Sequence, residues 1–446
     1  MRNLFLKRVA EGVFSSTKSR SSVAAPTAQC PRYIQSRQYA VSQPIVEEQP
    51  ETVVFPREGL GISYGLNWAL AGRGVITKEK AFHNLKTSEL HQKGATTAEH
   101  LSRVPIYVRG SATGGALDIS KANFSKLLKR VTTHLSSISN VFVHDGAVCS
   151  SPKCDAKVRV ISDGPSAILA LSNVLWRTPT RAVSHDSCPV TVYVAASESQ
   201  SIGESIGLGP EASNGFIAAD IECSSLILCG KAFADTSGTK DSLAALAAPV
   251  ISARDGLPLS ARLLFSGDSL ILVFAPESTI QSCSDLHKFD TDIVLSSHGV
   301  APLFRSRDPS APNLYKLPDA VIFAAADSSG ALPSVSKLSP GQAAYHFLAG
   351  YQNGKFLPGY IKGPSPNNPL ELAKALLSQL KDKEIPSFLL NVNIGEKSLT
   401  GKDLVKLIET TISKSVPPLQ SKGNIQEQYK SFLSGKFQDL PEEFSF

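Results

Sequence analysis

Gly203-Glu204-Ser205-Ile206-Gly207 fits G-x-S-x-G, the sharp elbow on which many hydrolases expose a nucleophilic serine. The elbow works only when a strand runs straight into it and a helix leaves it. Here SESQSI precedes and LGPEASNG follows, so both flanks read as loop and a serine hydrolase is set aside. The glycine-rich GSATGG at 110–115 reads as a turn before a helix rather than a phosphate cradle. His144-Asp145 ends the strand-like NVFVHD and could serve as an acid–base pair; the expectation is a strand-end polar pair facing solvent. Asp327 closes the apolar run AVIFAAAD (320–327), where α/β folds place ligands. It is expected to be a structural hydrogen-bonder, and with Lys337 it marks the candidate remnant pocket. Beyond Cys30, the cysteines at 149, 154, 188, 223, 229 and 283 form no C-x-x-C pair and no Cys/His cluster suited to zinc. Buried, reduced thiols are expected, with no metal, no cofactor and no catalytic residue.

The elements that would position these residues alternate between two periods. Phe124, Leu127, Leu128, Val131 and Leu135 share one face of a helix at 120–137, with Ser120 as its N-cap. Strands are expected at 140–145, 157–162 and 189–196, with a helix at 166–176 between the second and third. ARLLFSGDSLILVFA reads as a hairpin turning at Ser266-Gly267-Asp268. The run at 320–327 has the continuous apolarity of a strand buried on both faces. Ser339-Pro340 and Asn368-Pro369 each open a helix as cap and first helical residue. FLLNVN (388–393) is a strand, Thr400-x-x-Asp403 caps a last helix, and the tail from Pro417 is expected to be extended.

The chain has 446 residues, 42% hydrophobic and 19% charged, enough to bury a sizeable core. Its net charge of +6 is unevenly placed. Arg2, Lys7, Arg8, Lys18, Arg20, Arg32 and Arg37 stand against Glu11 alone in the first 40 residues, so the remainder is neutral. A neutral body argues against nucleic-acid binding, which needs surplus cations on the folded surface. The leading segment is Arg- and Ser-rich and acid-poor, with Leu4, Phe5, Leu6, Val9, Val13 and Phe14 forming an apolar face: a mitochondrial presequence. Arg37-Gln38-Tyr39-Ala40 resembles a matrix-peptidase site, with cleavage at Tyr39/Ala40. No run reaches the roughly 18 unbroken apolar residues of a membrane span.

Residues 319–351, DAVIFAAADSSGALPSVSKLSPGQAAYHFLAGY, resemble a segment of the ATP-dependent phosphoenolpyruvate carboxykinases. That segment runs strand, Asp, Gly-x-Leu-Pro, Val-Ser-Lys-Leu, then a helix bearing Tyr-His-Phe. Weaker echoes extend the likeness in outline over about 80–400, including AFHNLKTSELHQKGAT, VFVHD, KVRVIS and SSLILCGKAFA. The resemblance implies an N-terminal α/β domain followed by a nucleotide-binding α/β domain. It also implies a Gly-rich phosphate loop after the second hairpin strand, which here reads Phe274-Ala275-Pro276-Glu277-Ser278-Thr279-Ile280-Gln281. The glycines are gone, Ile280 stands where the lysine is expected, and Pro276 lacks a backbone donor. No Gly-Lys-Ser or Gly-Lys-Thr occurs anywhere in the chain. No arginine remains in the substrate loop expected at 110–115; Arg103 and Arg109 lie nearby. Of the metal-binding stretch at 236–248 only Lys240 survives, the paired acids reduce to Asp290 and Asp292, and the second substrate arginine to Arg305 and Arg307.

These readings define an α/β protein of two-domain carboxykinase-like fold with a truncated nucleotide-binding domain. The expected division is presequence 1–39, N-terminal extension 40–100, α/β domain 101–253, reduced C-terminal domain 254–416 and tail 417–446. The expected function is that of a matrix pseudoenzyme, an accessory or scaffold subunit with protein partners; a homo-oligomer is left open. The alternatives are an active ATP-dependent carboxykinase (oxaloacetate + ATP to phosphoenolpyruvate + CO2 + ADP) and a non-catalytic small-molecule sensor. Apolar positions around Val300–Leu317 are expected to be exposed once the covering loops are lost.

Overall fold

Long apolar runs build the centre of each of two sheets, and amphipathic helices close their faces. The computed structural model describes residues 64–446, apart from 102–103, 111–115, 179–187, 198–202, 204–206, 209, 284–291, 307–311, 362, 395–396 and 422. The presequence with Tyr39 and Ala40, most of GSATGG, Ser205, Arg103, Asp290 and Arg307 lie outside the described residues.

The chain begins with α1 (Tyr64–Ala71), β1 (Lys80–His83), α2 (Thr87–Gln92), β2 (Ile106–Arg109), β3 (Leu117–Asp118) and α3 (Lys121–Ser137). It continues through β4 (Asn140–Val148), β5 (Ala156–Ser162), α4 (Pro165–Val174), β6 (Trp176–Arg177), β7 (Val190–Ala195), β8 (Gly215–Asp220), β9 (Ser225–Gly230) and α5 (Thr236–Ser252). These strands form one mixed sheet in the order β1-β4-β5-β7-β9-β8-β2-β3, with β6 pairing β4. Every residue of β5, β7, β8 and β9 is buried, because helices cover both faces. On one face α3 lays Phe124, Leu127, Val131 and Leu135 against Ile161, Tyr193 and Phe216. On the other, Ile168 and Leu171 of α4 and Leu243 and Leu246 of α5 meet Val158, Val160 and Val192. The Ser120 hydroxyl accepts from the Asn123 N–H at 3.2 Å, as expected of an N-cap.

The second half holds β10 (Leu257–Leu259), β11 (Arg262–Ser266), β12 (Ser269–Phe274), α6 (Glu277–Gln281), β13 (Ile293–Ser296), β14 (Gly299–Pro302), β15 (Ala320–Ala325) and β16 (Val335–Leu338). Then follow α7 (Pro340–Leu348), β17 (Gly350–Gln352), β18 (Lys355–Leu357), α8 (Pro369–Asp382), β19 (Ser387–Asn391), β20 (Asn393–Ile394), β21 (Lys397–Ser398), α9 (Gly401–Ser413) and α10 (Ile425–Lys436). A five-stranded sheet runs β11-β12-β15-β19-β16, and β10-β13-β14 form a smaller one. The β11–β12 hairpin turns at Gly267-Asp268, where Gly267 takes φ 56°. Ser339 and Asn368 cap their helices through side-chain acceptors, Ser339 in a reciprocal box with Gln342.

Five expectations are corrected. The helix expected at 166–176 ends at Val174, and Trp176 instead pairs with Ala147 in a short strand. Thr400 sits at the N-cap of α9 without a side-chain cap hydrogen bond. The tail is not extended throughout: Ile425, Tyr429 and Leu433 form one buried helical face against the second core. Its end is clamped, since a Cβ on Gly341 would lie 2.0 Å from the Glu443 carbonyl oxygen. Cys223 is exposed, whereas Cys229 is buried. Finally, Val300, Ala301, Leu303 and Phe304 are buried where the sheets meet, leaving Leu314 and Phe265 as the exposed apolar side chains of that region.

His346 of α7 is fully enclosed against the rings of Tyr429 and Phe446, each at 5.2 Å between centroids, and neither ring nitrogen has a hydrogen-bond partner. Burial pushes its pKa down to about 3. An unfolded histidine protonates near 6.5, so below that pH the unfolded chain binds the extra proton. Stability is therefore expected to fall from pH 6.5 downward by about 1.4 kcal/mol per unit from this group, until the folded pKa is reached. Urea midpoints at pH 7 and pH 5 check this. His346→Leu should flatten the slope, and an unchanged slope would contradict it.

Candidate functional site

Sheet order puts two depressions within reach of the residues that sequence spacing singled out. The first lies directly beyond β12, at the carboxyl edge of the parallel β12, β15 and β19, the edge where open α/β sheets bind ligands. Pro276 is the N-cap of α6 and offers no capping side chain. The next turn buries Thr279 and Ile280 into the core beside Leu404 and Ile408. Gln352 donates its amide N–H to the Ser278 hydroxyl at 2.9 Å. The cavity left beside this turn measures about 560 Å³, and among the described residues its charged lining is Asp241, Glu277, Asp292 and Arg262. Among the described residues three carboxylates stand beside one guanidinium, a balance unfavourable to a polyphosphate. At an effective dielectric of about 20, two like charges 4 Å apart repel by about 4 kcal/mol.

The second depression is larger, about 1040 Å³, and lies between α2, α4, the start of α5 and the strand-end segment 305–306. Lys240 and Arg305, singled out separately in the sequence, both line it. His91, His100, Thr97 and Thr236 add polar groups, and among the described residues no carboxylate lines the wall. Arg305 is positioned by its Nη1–H donated to the Ser172 carbonyl at 3.0 Å and its backbone N–H to the Val174 carbonyl at 3.0 Å. The Lys240 ammonium lies 5.6 Å from the centroid of Phe304. The histidines carried no signal in the sequence, since neither shares a motif with Lys240 or Arg305. Folding alone gathers them.

Asp327, expected as a structural hydrogen-bonder, and Lys337, expected with it to mark a remnant pocket, lie apart from both depressions. Asp327 is 1% exposed. One carboxylate oxygen accepts from the Ser329 hydroxyl at 2.6 Å and the Ser329 N–H at 3.0 Å, and the other from the Leu332 N–H at 2.8 Å. Asn391 completes the clamp, accepting from the Asp327 N–H and donating to its carbonyl, both at 2.9 Å. Burial pushes the Asp327 carboxyl up, but these hydrogen bonds outweigh it and hold it below the ordinary carboxylate range. Lys337 is exposed on edge strand β16, its backbone N–H bound to the Pro417 carbonyl at 2.8 Å. Neither residue lines the two cavities.

His144-Asp145 is likewise not a strand-end pair facing solvent, because β4 runs on to Val148. Gly146 permits that continuation: a Cβ there would sit 2.8 Å from Cβ of Leu175. Asp145 receives two hydrogen bonds from the buried Arg159, at 2.8 and 2.9 Å, and lies 2.9 Å from Nε2 of His83. Burial raises its pKa, yet His83 and Arg159 together hold it far below the usual range. Burial pushes His144 down to about 4. This is a cross-strand ion network inside the sheet. Glu204, Ser205 and Ile206 of the elbow motif are outside the described residues. Among the described residues no group of three or more His, Cys, Asp or Glu could hold a metal, and no helix is long and apolar enough to cross a membrane.

Residues 290–359 match the family described as Phosphoenolpyruvate carboxykinase. A Phosphoenolpyruvate carboxykinase (ATP) of Flavobacterium johnsoniae is 36% identical over 87 residues, 17% of this chain and 16% of that protein. One of Bacillus mycoides and one of Bacillus anthracis are each 40% identical over 62 residues, 14% of this chain and 12% of theirs. The chain thus matches about a sixth or less of these curated relatives. Over that stretch it is their homologue, in a mixed α/β fold consistent with theirs.

Proposed function

We propose that this carboxykinase homologue is a pseudoenzyme, imported into the mitochondrial matrix and retained as an accessory subunit of a larger assembly. One observation carries the loss of chemistry: where a phosphate loop is expected, α6 turns its buried residues into the core beside a cavity of three carboxylates. The acid-poor leading segment supports import, and the neutral body supports a protein rather than a nucleic-acid partner. A second reading, a sensor of small anions without turnover, is favoured by the larger cavity, which Lys240 and Arg305 both line. A blue-native gel of gently solubilised mitochondria tests the first reading. The protein is expected well above the 47.5 kDa of one chain, with a mature N-terminus near Ala40. A free monomer that begins at Met1 would overturn both the assembly and the import.

A further inference from the structure

The hairpin between β4 and β5 brings two thiols together that their spacing did not suggest. Cys149 and Cys154 lie at the two ends of the loop, Sγ to Sγ 3.7 Å, and each is 1% exposed. Cys149 is held at φ 74°, a left-handed conformation that side-chain-bearing residues seldom take, so the fold keeps the pair close against a local backbone penalty. The loop is also anchored from outside. The Cys149 N–H donates to the Leu303 carbonyl at 2.7 Å and the Ser150 N–H to the Pro302 carbonyl at 3.0 Å, tying it to β14 of the second half. Pro152 and Lys153, between the cysteines, are exposed, so the pair lies one residue along the chain from solvent.

We propose that Cys149 and Cys154 are a peroxide-oxidisable dithiol that closes to an intramolecular disulfide. A disulfide bond is about 2.05 Å long, so the sulfurs need approach by less than about 2 Å, within reach of side-chain rotation in one loop. Hydrogen peroxide is close to water in size and suits a buried pair next to an exposed loop tip. The Cys154 thiolate attacks one peroxide oxygen; the O–O bond breaks, a sulfenic acid forms on Cys154, and the departing hydroxide takes a proton to leave as water. The Cys149 sulfur, giving up its proton, then attacks the Cys154 sulfur and expels the second oxygen as water. Two thiols are oxidised by two electrons and one peroxide is reduced to two waters. The order of attack follows from the hydrogen bond between the thiols, which lowers Cys154 to about 7 while it raises Cys149.

Trypsin cuts after Lys153 and separates the partners onto the peptides Val131–Lys153 and Cys154–Lys157. The purified native chain is treated with hydrogen peroxide, denatured in iodoacetamide and digested without reductant. The expected product is these two peptides linked, two hydrogens lighter than their sum, and split by dithiothreitol. Cys149→Ser should instead leave Cys154 as a sulfenic acid that dimedone traps. Full alkylation of both cysteines in the wild-type protein after peroxide, or a link from either to another cysteine, would overturn the proposal whether or not the variant folds.

Discussion

Replacing Asp327 with alanine is expected to destabilise the protein by about 3 kcal/mol, as three donors, one of them buried, lose a charged acceptor. The Ser329 hydroxyl and the N–H groups of Ser329 and Leu332 all end on this carboxylate, which is 1% exposed. Against a typical total stability of about 5–15 kcal/mol, such a loss should move the urea midpoint far below that of the wild type. Asp327→Asn keeps one acceptor but turns an N–H toward a donor, so it should fall between the two. Lys337→Ala removes an exposed side chain and should change stability by no more than about 0.5 kcal/mol. A midpoint near wild type for Asp327→Ala would contradict this clamp.

That contrast shows how far the sequence could be read. The turn Asp327–Leu332 lies within 319–351, the strongest part of the family likeness, and its Asp327 clamps the backbone as the structural hydrogen-bonder expected there. Continuous apolar runs such as Ala320–Ala325 and Val190–Ala195 were legible because burial on both sheet faces leaves no alternation to misread. Caps at Ser120, Ser339 and Asn368 were legible because one side-chain oxygen satisfies a local N–H. The C-terminal helix was not, since Ile425, Tyr429 and Leu433 are too sparse to define a face until Tyr345, Phe356 and Phe446 surround Tyr429. Strand β4 was cut short at Asp145 because Gly146 looks like a breaker, whereas it admits Leu175. Lys240, Arg305 and the two histidines come from separate segments, and no local spacing signals their meeting. The thiol pair was missed for a related reason: a four-residue gap is unremarkable until a hairpin folds it back.

Absence of ATP binding is the other large effect expected. A phosphate loop works by pointing several backbone N–H groups and one lysine at the phosphates. Here Pro276 supplies no donor, Ile280 is buried, and Glu277 with Asp241 and Asp292 lines the space that remains. Even one carboxylate near a phosphate offsets much of what one cation contributes. Turnover of oxaloacetate with ATP and Mn²⁺ should therefore be absent in protein that unfolds cooperatively. A ligand that binds only the native state at a hundredfold excess over its Kd stabilises it by about 2.7 kcal/mol, so thermal unfolding is a sensitive companion. The most direct test is calorimetric titration of the purified protein with ATP–Mn²⁺ at millimolar concentration, with the melting temperature read on the same sample. No saturable heat and an unchanged Tm are predicted. A one-to-one isotherm with an upward shift in Tm would contradict the account and restore a working nucleotide site.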